Sequence, residues 1–244
     1  MTKRILALLL AVVSAPALAA GYAKLEASHA NVHDRASLQR GARLFMNYCL
    51  TCHEAAFMRY SRMAEDLGLS EQQVIDNLIF TGRAVGETMT VAMNKDDAVA
   101  WFGAPAPDLS LTARAKPGGA DWIYTYLKSF YVDESRPVGW NNTVLANASM
   151  PHVLWELQGI QRPVYAEGHH GQASHVERLE LVQPGTMSPA EYDQAVRDIA
   201  AFMAYIAEPA VLKREAMGVW VLLFLSLFTF LAWLLKREYW RDVH

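Results

Sequence analysis

A mostly helical, loop-rich domain on one C-terminal membrane helix is the fold class this 244-residue chain predicts. Three observations carry it. Apolar residues recur at helical spacing in separated stretches, strand-like alternation is scarce and short, and Met217 to Leu235 holds no charged residue.

The chain opens "MTKRILALLLAVVSAPALAA", with Lys3 and Arg4, an apolar run from Ile5 to Val13, and Ala17 and Ala19 flanking Leu18. A bilayer-spanning helix needs about twenty continuous apolar residues, and Ser14 and Pro16 break this run too early. The pattern is that of an export signal over residues 1–19, cut after Ala19.

A first helix is expected from Asp34, a plausible N-cap, to Cys52: Leu38, Ala42, Phe45, Cys49 and Cys52 recur at spacings of four, three, four and three. A second starts at "SEQQVIDNLI", where Ser70 and Gln73 have capping-box spacing. A short amphipathic helix fits "ADWIYTYLKSFY", between "WFGAPAPDLSLTARAKPGGADW" and "PVGWNNTVLANASMP", both rich in Gly, Pro, Asn and Ala and read as loops. The clearest helix is "SPAEYDQAVRDIAAFMAYIAEP". Ser188 caps it, Pro189 takes its first position, Glu191 completes the box, and Val196, Ile199, Met203 and Ile206 form its buried stripe. Pro209 ends that helix and can open the next.

The next segment is the anchor, residues 213–236, with Lys236, Arg237 and Arg241 directly behind the apolar run and Trp233, Tyr239 and Trp240 at the same boundary. Charge and export signal agree on an orientation with residues 20–212 outside and a tail, residues 237–244, in the cytoplasm. A net charge of -3 without a concentrated basic patch excludes a nucleic-acid partner. Two cysteines exclude a disulfide scaffold.

Those two cysteines stand in "NYCLTCHEAAF". C-x-x-C-H is the attachment signature of a c-type haem: one turn of chain brings Cys49 and Cys52 to the two vinyl groups of a single haem, and His53 follows as proximal ligand. A thioredoxin-like dithiol, the first alternative, sits at a helix start near βαβ patterning, whereas this pair ends a helix. A zinc site needs further thiolates or well-spaced histidines. The predicted domain is therefore a c-type cytochrome domain with long loop insertions.

For the other face of the iron, Met150 in "NNTVLANASMPHVLW" and Met187 in "VQPGTMSPAEY" both sit in loops, and the residues alone leave the choice open. Met46, Met58, Met63 and Met203 fall in helix-like context and read as core. Met/His ligation raises a haem potential and suits electron transfer. "EGHHGQASH" gathers His169, His170 and His175 without a thiolate among them, and it reads as a hydrated loop. The pairs Asp96 and Asp97, and Asp133 and Glu134, read as solvated faces, or more sharply as docking charges for a basic partner.

Taken together, "RGARLFMNYCLTCHEAAFMRY", "GAPAPDLSLTARAKPGGADWIYTYL", "NNTVLANASMPHVLWELQG" and the last soluble helix running into the anchor resemble the cytochrome c1 family, across nearly the whole mature chain. The resemblance implies thioether cysteines at Cys49 and Cys52, the proximal ligand at His53 and the distal ligand at Met150. It implies a membrane complex of the cytochrome bc1 type, dimeric, with a di-haem cytochrome b, a Rieske iron–sulfur protein as electron donor and a c-type cytochrome as acceptor, at the periplasmic face of a bacterial inner membrane. It places Pro107 to Ser110 and Arg114 to Trp122 near the haem propionates, with Lys116 and Trp122 where mitochondrial relatives tend to have arginine and tyrosine. A free-standing membrane-tethered shuttle is the alternative, and it would need a flexible linker where this chain has the short "EPAVLKREA".

Overall fold

The structure, a computed structural model, describes residues 24–91, 93–166 and 176–242. The export signal and the cluster of His169, His170 and His175 lie outside the described residues.

Helix α1 (Arg35–Leu44) starts as expected, with the Asp34 carboxylate accepting from the Ser37 backbone N–H. Its end differs from the expected one. The helix widens into one π turn, Phe45–Cys49, closed by Leu50 N–H donating to the Phe45 carbonyl, and stops there instead of reaching Cys52. The extra residue keeps Phe45, Met46 and Cys49 buried, whereas Cys52 emerges half-exposed in the turn beyond. Such π turns recur at functional positions of helices.

Strand β1 (Ala55–Arg59) follows, then α2 (Tyr60–Leu67) and α3 (Glu71–Leu78), the last with the reciprocal Ser70–Gln73 box the sequence predicts. β2 (Thr88–Met89) pairs antiparallel with β1. α4 (Lys95–Phe102) is capped by the Asn94 side chain and stopped by Gly103 at φ +80°, so only its last two residues enter the stretch read as loop; within that stretch α5 (Thr112–Ala115) is a single helical turn. α6 (Ala120–Lys128) is not amphipathic in place: every residue from Trp122 to Leu127 is buried.

β3 (Phe130–Val132) and β4 (Trp140–Asn142) form a second antiparallel pair. After the turn α7 (Trp155–Gln158) come β5 (Gly159–Tyr165) and β6 (Val176–Pro184), a long antiparallel pair that the sequence reading did not anticipate. α8 (Pro189–Ala207) has its predicted box and proline start, and its predicted stripe is buried.

The core forms where α8 crosses α1 and α6. Gly41 lets α1 lie against α8 so closely that a methyl group there would run into the Asp198 carbonyl. Beside the crossing Phe45 packs on Phe202 with centroids 5.4 Å apart. Asp198, 1 % exposed, is a buried carboxylate with a full set of partners: Ser37 Oγ at 2.6 Å, Arg40 Nε at 2.6 Å and Gln194 Nε2 at 2.9 Å. Met46, Met58, Met63 and Met203 fill this core, as read from sequence, although Met58 sits on β1.

The last helix, α9 (Val211–Tyr239), carries no charged residue between Met217 and Leu235, and no part of its apolar window is buried. At 1.5 Å per residue its 29 residues reach about 44 Å, enough to cross a bilayer core. It fits a single-pass membrane anchor. Only Glu208, Pro209 and Ala210 separate it from α8, and the joint is braced: Glu208 accepts from Arg114 at 2.6 Å and from Arg214 at 2.7 Å, and His33 meets Glu215 at 2.9 Å.

Candidate haem site

The π turn delivers Cys49 at its end, and one further turn carries Cys52 and His53. Both their N–H groups donate to the Cys49 carbonyl, at 3.1 and 2.8 Å, so the three side chains leave a single coil of backbone. The two thiols are not joined to each other. Burial, with the neighbouring Cys52 second, pushes the Cys49 thiol up to about 12, and burial raises Cys52 as well. A redox-active pair has the opposite shift, a lowered thiol pKa, so the dithiol alternative loses its chemistry here.

His53 is held from one side. Its Nδ1 lies 2.7 Å from the Pro107 carbonyl oxygen, which can only accept, so Nδ1 carries the proton and Nε2 keeps its lone pair. Burial lowers the ring's pKa below that of ordinary histidine, partly offset by that hydrogen bond, so the imidazole is neutral and ligand-ready. The Pro107–Ser110 turn is itself fastened to the motif. Leu109 N–H donates to the Glu54 carbonyl at 2.8 Å, Ala56 N–H to Asp108 at 3.3 Å, and Phe57 N–H to the buried Ser110 hydroxyl at 3.1 Å.

Met150 lies half-buried against the core. Its sulfur accepts a hydrogen bond from the Tyr126 hydroxyl at 3.5 Å. Tyr126 is clamped between Trp122, stacked at 4.9 Å and 10°, and the edge of Phe130, and burial pushes its phenol pKa up. The aromatic series continues through Phe130 to His152, stacked at 5.0 Å, and Trp140 packs on the same imidazole. Burial lowers His152 to about 4, and its Nε2 has no partner among the described residues. An apolar cleft of about 280 Å³, lined by Trp101, Phe102, Pro137 and Val138, opens beside Ser149.

Met187 also packs on the core, but its backbone belongs to the base of the β5–β6 pair, donating to the Leu157 carbonyl at 3.1 Å. Lys116 and Trp122 meet each other, with Nζ 4.7 Å above the indole ring, a cation–π contact. Asp96 and Asp97 are exposed in the first turn of α4. Asp133 is half-exposed and Glu134 exposed, and the Asp133 carboxylate also builds a turn, accepting from Ser135 at 2.6 Å and Asn141 at 2.8 Å. Tyr126, the Pro107 carbonyl and His152 were missed from sequence, where only the "MPHVLW" and "APDLS" strings marked their neighbourhoods.

The donor set therefore fits a c-type haem: two protonated, unjoined thiols and an imidazole on one coil, with the imidazole's far nitrogen free, and a thioether held by a buried hydroxyl. A mostly helical domain with this site, joined to the one helix among the described residues that is long and apolar enough to cross a membrane, fits a membrane-anchored c-type cytochrome. The comparison with protein-family models narrows this. The model described as the Cytochrome C1 family matches residues 26–243, and the chain belongs to that family. Among its relatives, it is 48% identical to "Cytochrome c1" of Allochromatium vinosum over 100% of both chains. It is 45% identical to a protein of Nitrosomonas europaea named "Ammonia monooxygenase gamma subunit", over 97% of each chain, and 29% identical to "Cytochrome c1" of Rhodospirillum rubrum, over 86% of this chain and 83% of that one. Membership makes this a haem protein of electron transport.

Proposed function

We propose that the chain is the haem c subunit of a quinol:cytochrome c oxidoreductase of the cytochrome bc1 type, taking one electron from a Rieske iron–sulfur protein and passing it to a c-type cytochrome. One haem, bound through Cys49 and Cys52, would supply a one-electron iron couple. His53 would hold the iron through Nε2 and Met150 through Sδ. The observation that carries the reading is the coil from Cys49 to His53, pinned to the Pro107–Ser110 turn so that the imidazole has one orientation. Neutral His53 and a thioether add no negative charge to the iron's surroundings, which favours the reduced state and a high potential. No bond-making step is assigned to any residue.

The braced three-residue joint between α8 and α9 favours a fixed subunit over a tethered shuttle, because the haem domain has no slack to swing. In this reading residues 1–19 are removed on export, residues 20–212 stand in the periplasm, residues 213–236 cross the lipid, and residues 237–244 end in the cytoplasm. Cytochrome b is the neighbour in the membrane; a relative from Bradyrhizobium diazoefficiens, 25% identical over 86% of this chain and 34% of that one, bears the name "Cytochrome b/c1". The assembly would be a dimer.

The test is a reduced-minus-oxidised visible spectrum of material captured from mild detergent by a C-terminal tag, with a quinol as sole reductant. A c-type band reduced together with co-purifying b-type haem is the expected outcome. A lone c-type haem that quinol leaves oxidised would reject the assignment in favour of the shuttle.

A further inference from the structure

We propose that Tyr126 is a positioning residue for electron transfer: its hydroxyl donates to the Met150 thioether, holds that side chain in place and raises the potential of the haem. The inference rests on the assignment of Met150 as an iron ligand.

Sulfur is a weak acceptor, so a buried hydroxyl directed at a thioether is an unusual choice of partner. Here the phenol has no other hydrogen-bond partner among the described residues, and Tyr126 is 8 % exposed, so water does not readily replace the sulfur. The ring cannot easily turn away. Trp122 stacks on one face, the edge contact with Phe130 fixes the other side, and the backbone belongs to α6 in the core.

The same helix end also holds the loop that brings Met150. Asn142 Nδ2 donates to the Tyr126 carbonyl at 2.8 Å, while its Oδ1 accepts from the Val144 and Leu145 N–H groups. The Asn141 side chain accepts from Asn147 N–H at 2.8 Å. Donor and acceptor are thus mounted on one frame, so the contact is built into the fold.

The sign follows from electrostatics. A donated O–H places its positive end at the sulfur, reducing the electron density the thioether can give. Oxidation adds positive charge at the iron, so a positive dipole end aimed at its ligand disfavours the oxidised state. Low local dielectric strengthens this. Tyr126 therefore raises the potential.

The experiment uses the full chain in detergent and reads two signals: the ferric thioether-to-iron charge-transfer band at the red edge of the spectrum, and the equilibrium potential. Tyr126→Phe keeps the ring and its stack while removing the donor. A lowered potential, or loss of the band in a chain that still folds, is the expected result; Tyr126→Leu should act in the same direction and serves if the first variant does not accumulate. An unchanged or raised potential with the band intact overturns the proposal. In a Met150→His background Tyr126→Phe should leave the potential where it is, and a shift as large as in the unsubstituted chain also overturns it. Failure of the ligand assignment looks different: Met150→Leu would then keep the band.

Discussion

The His53 imidazole donates through Nδ1 to the carbonyl of Pro107, 54 residues away, and the turn bearing that carbonyl is hydrogen-bonded back to the strand that follows His53. The imidazole and the group that orients it are therefore held in one hydrogen-bonded unit. Ser110→Ala removes the acceptor for Phe57 N–H, which should cost about 1 kcal/mol. Thermal unfolding of the haem-loaded chain would read this as a lowered midpoint; an unaltered midpoint would mean that the turn is held without Ser110.

Gly41 sits where α1 and α8 touch. Gly41→Ala should destabilise by about 2 kcal/mol, since the added methyl would overlap backbone that two packed helices cannot easily yield. Chemical denaturation checks it. A neutral result would show that the helices can separate without loss.

Hydrogen bonds from Ser135, then Asn141, with Arg136 nearby, hold the Asp133 carboxyl below the ordinary aspartate range. A depressed pKa contributes stability that is present above the unfolded value and lost as pH falls through the folded one. Because Asn141 also holds Asn147, acidification below about pH 4 should loosen the loop that ends at Met150. Asp133→Asn should lower stability at neutral pH and flatten its acid limb. A limb as steep as before would place the acid sensitivity elsewhere.

Deleting residues 215 to 244 removes α9 beyond its first turn. The expected product is a soluble haem protein found in the wash, at a modest loss of stability, because the His33–Glu215 pair it breaks is half-exposed. Retention on washed membranes would show a second attachment.

What could be read from sequence was local. Both capping boxes, the proline start of α8, the anchor and the C-x-x-C-H coil are each encoded within a few consecutive residues. The β5–β6 pair escaped because its strands are exposed or half-exposed at most positions and Pro163 interrupts one, so no burial alternation marks them. α6 was misjudged because Thr125 and the tyrosine hydroxyls look polar, whereas Thr125 Oγ1 is satisfied by the Asp121 carbonyl and Tyr126 by Met150. Residues 126 and 150 meet only through the fold, and no spacing along the chain announces that contact.

The most direct measurement is the haem potential of Met150→Leu beside that of Met187→Leu, each in the full chain with covalent attachment checked on a denaturing gel. Met150→Leu should lower the potential sharply with the haem still attached, and Met187→Leu should leave it unchanged. An unchanged potential in Met150→Leu, with the fall appearing in Met187→Leu instead, would contradict the His53–Met150 site.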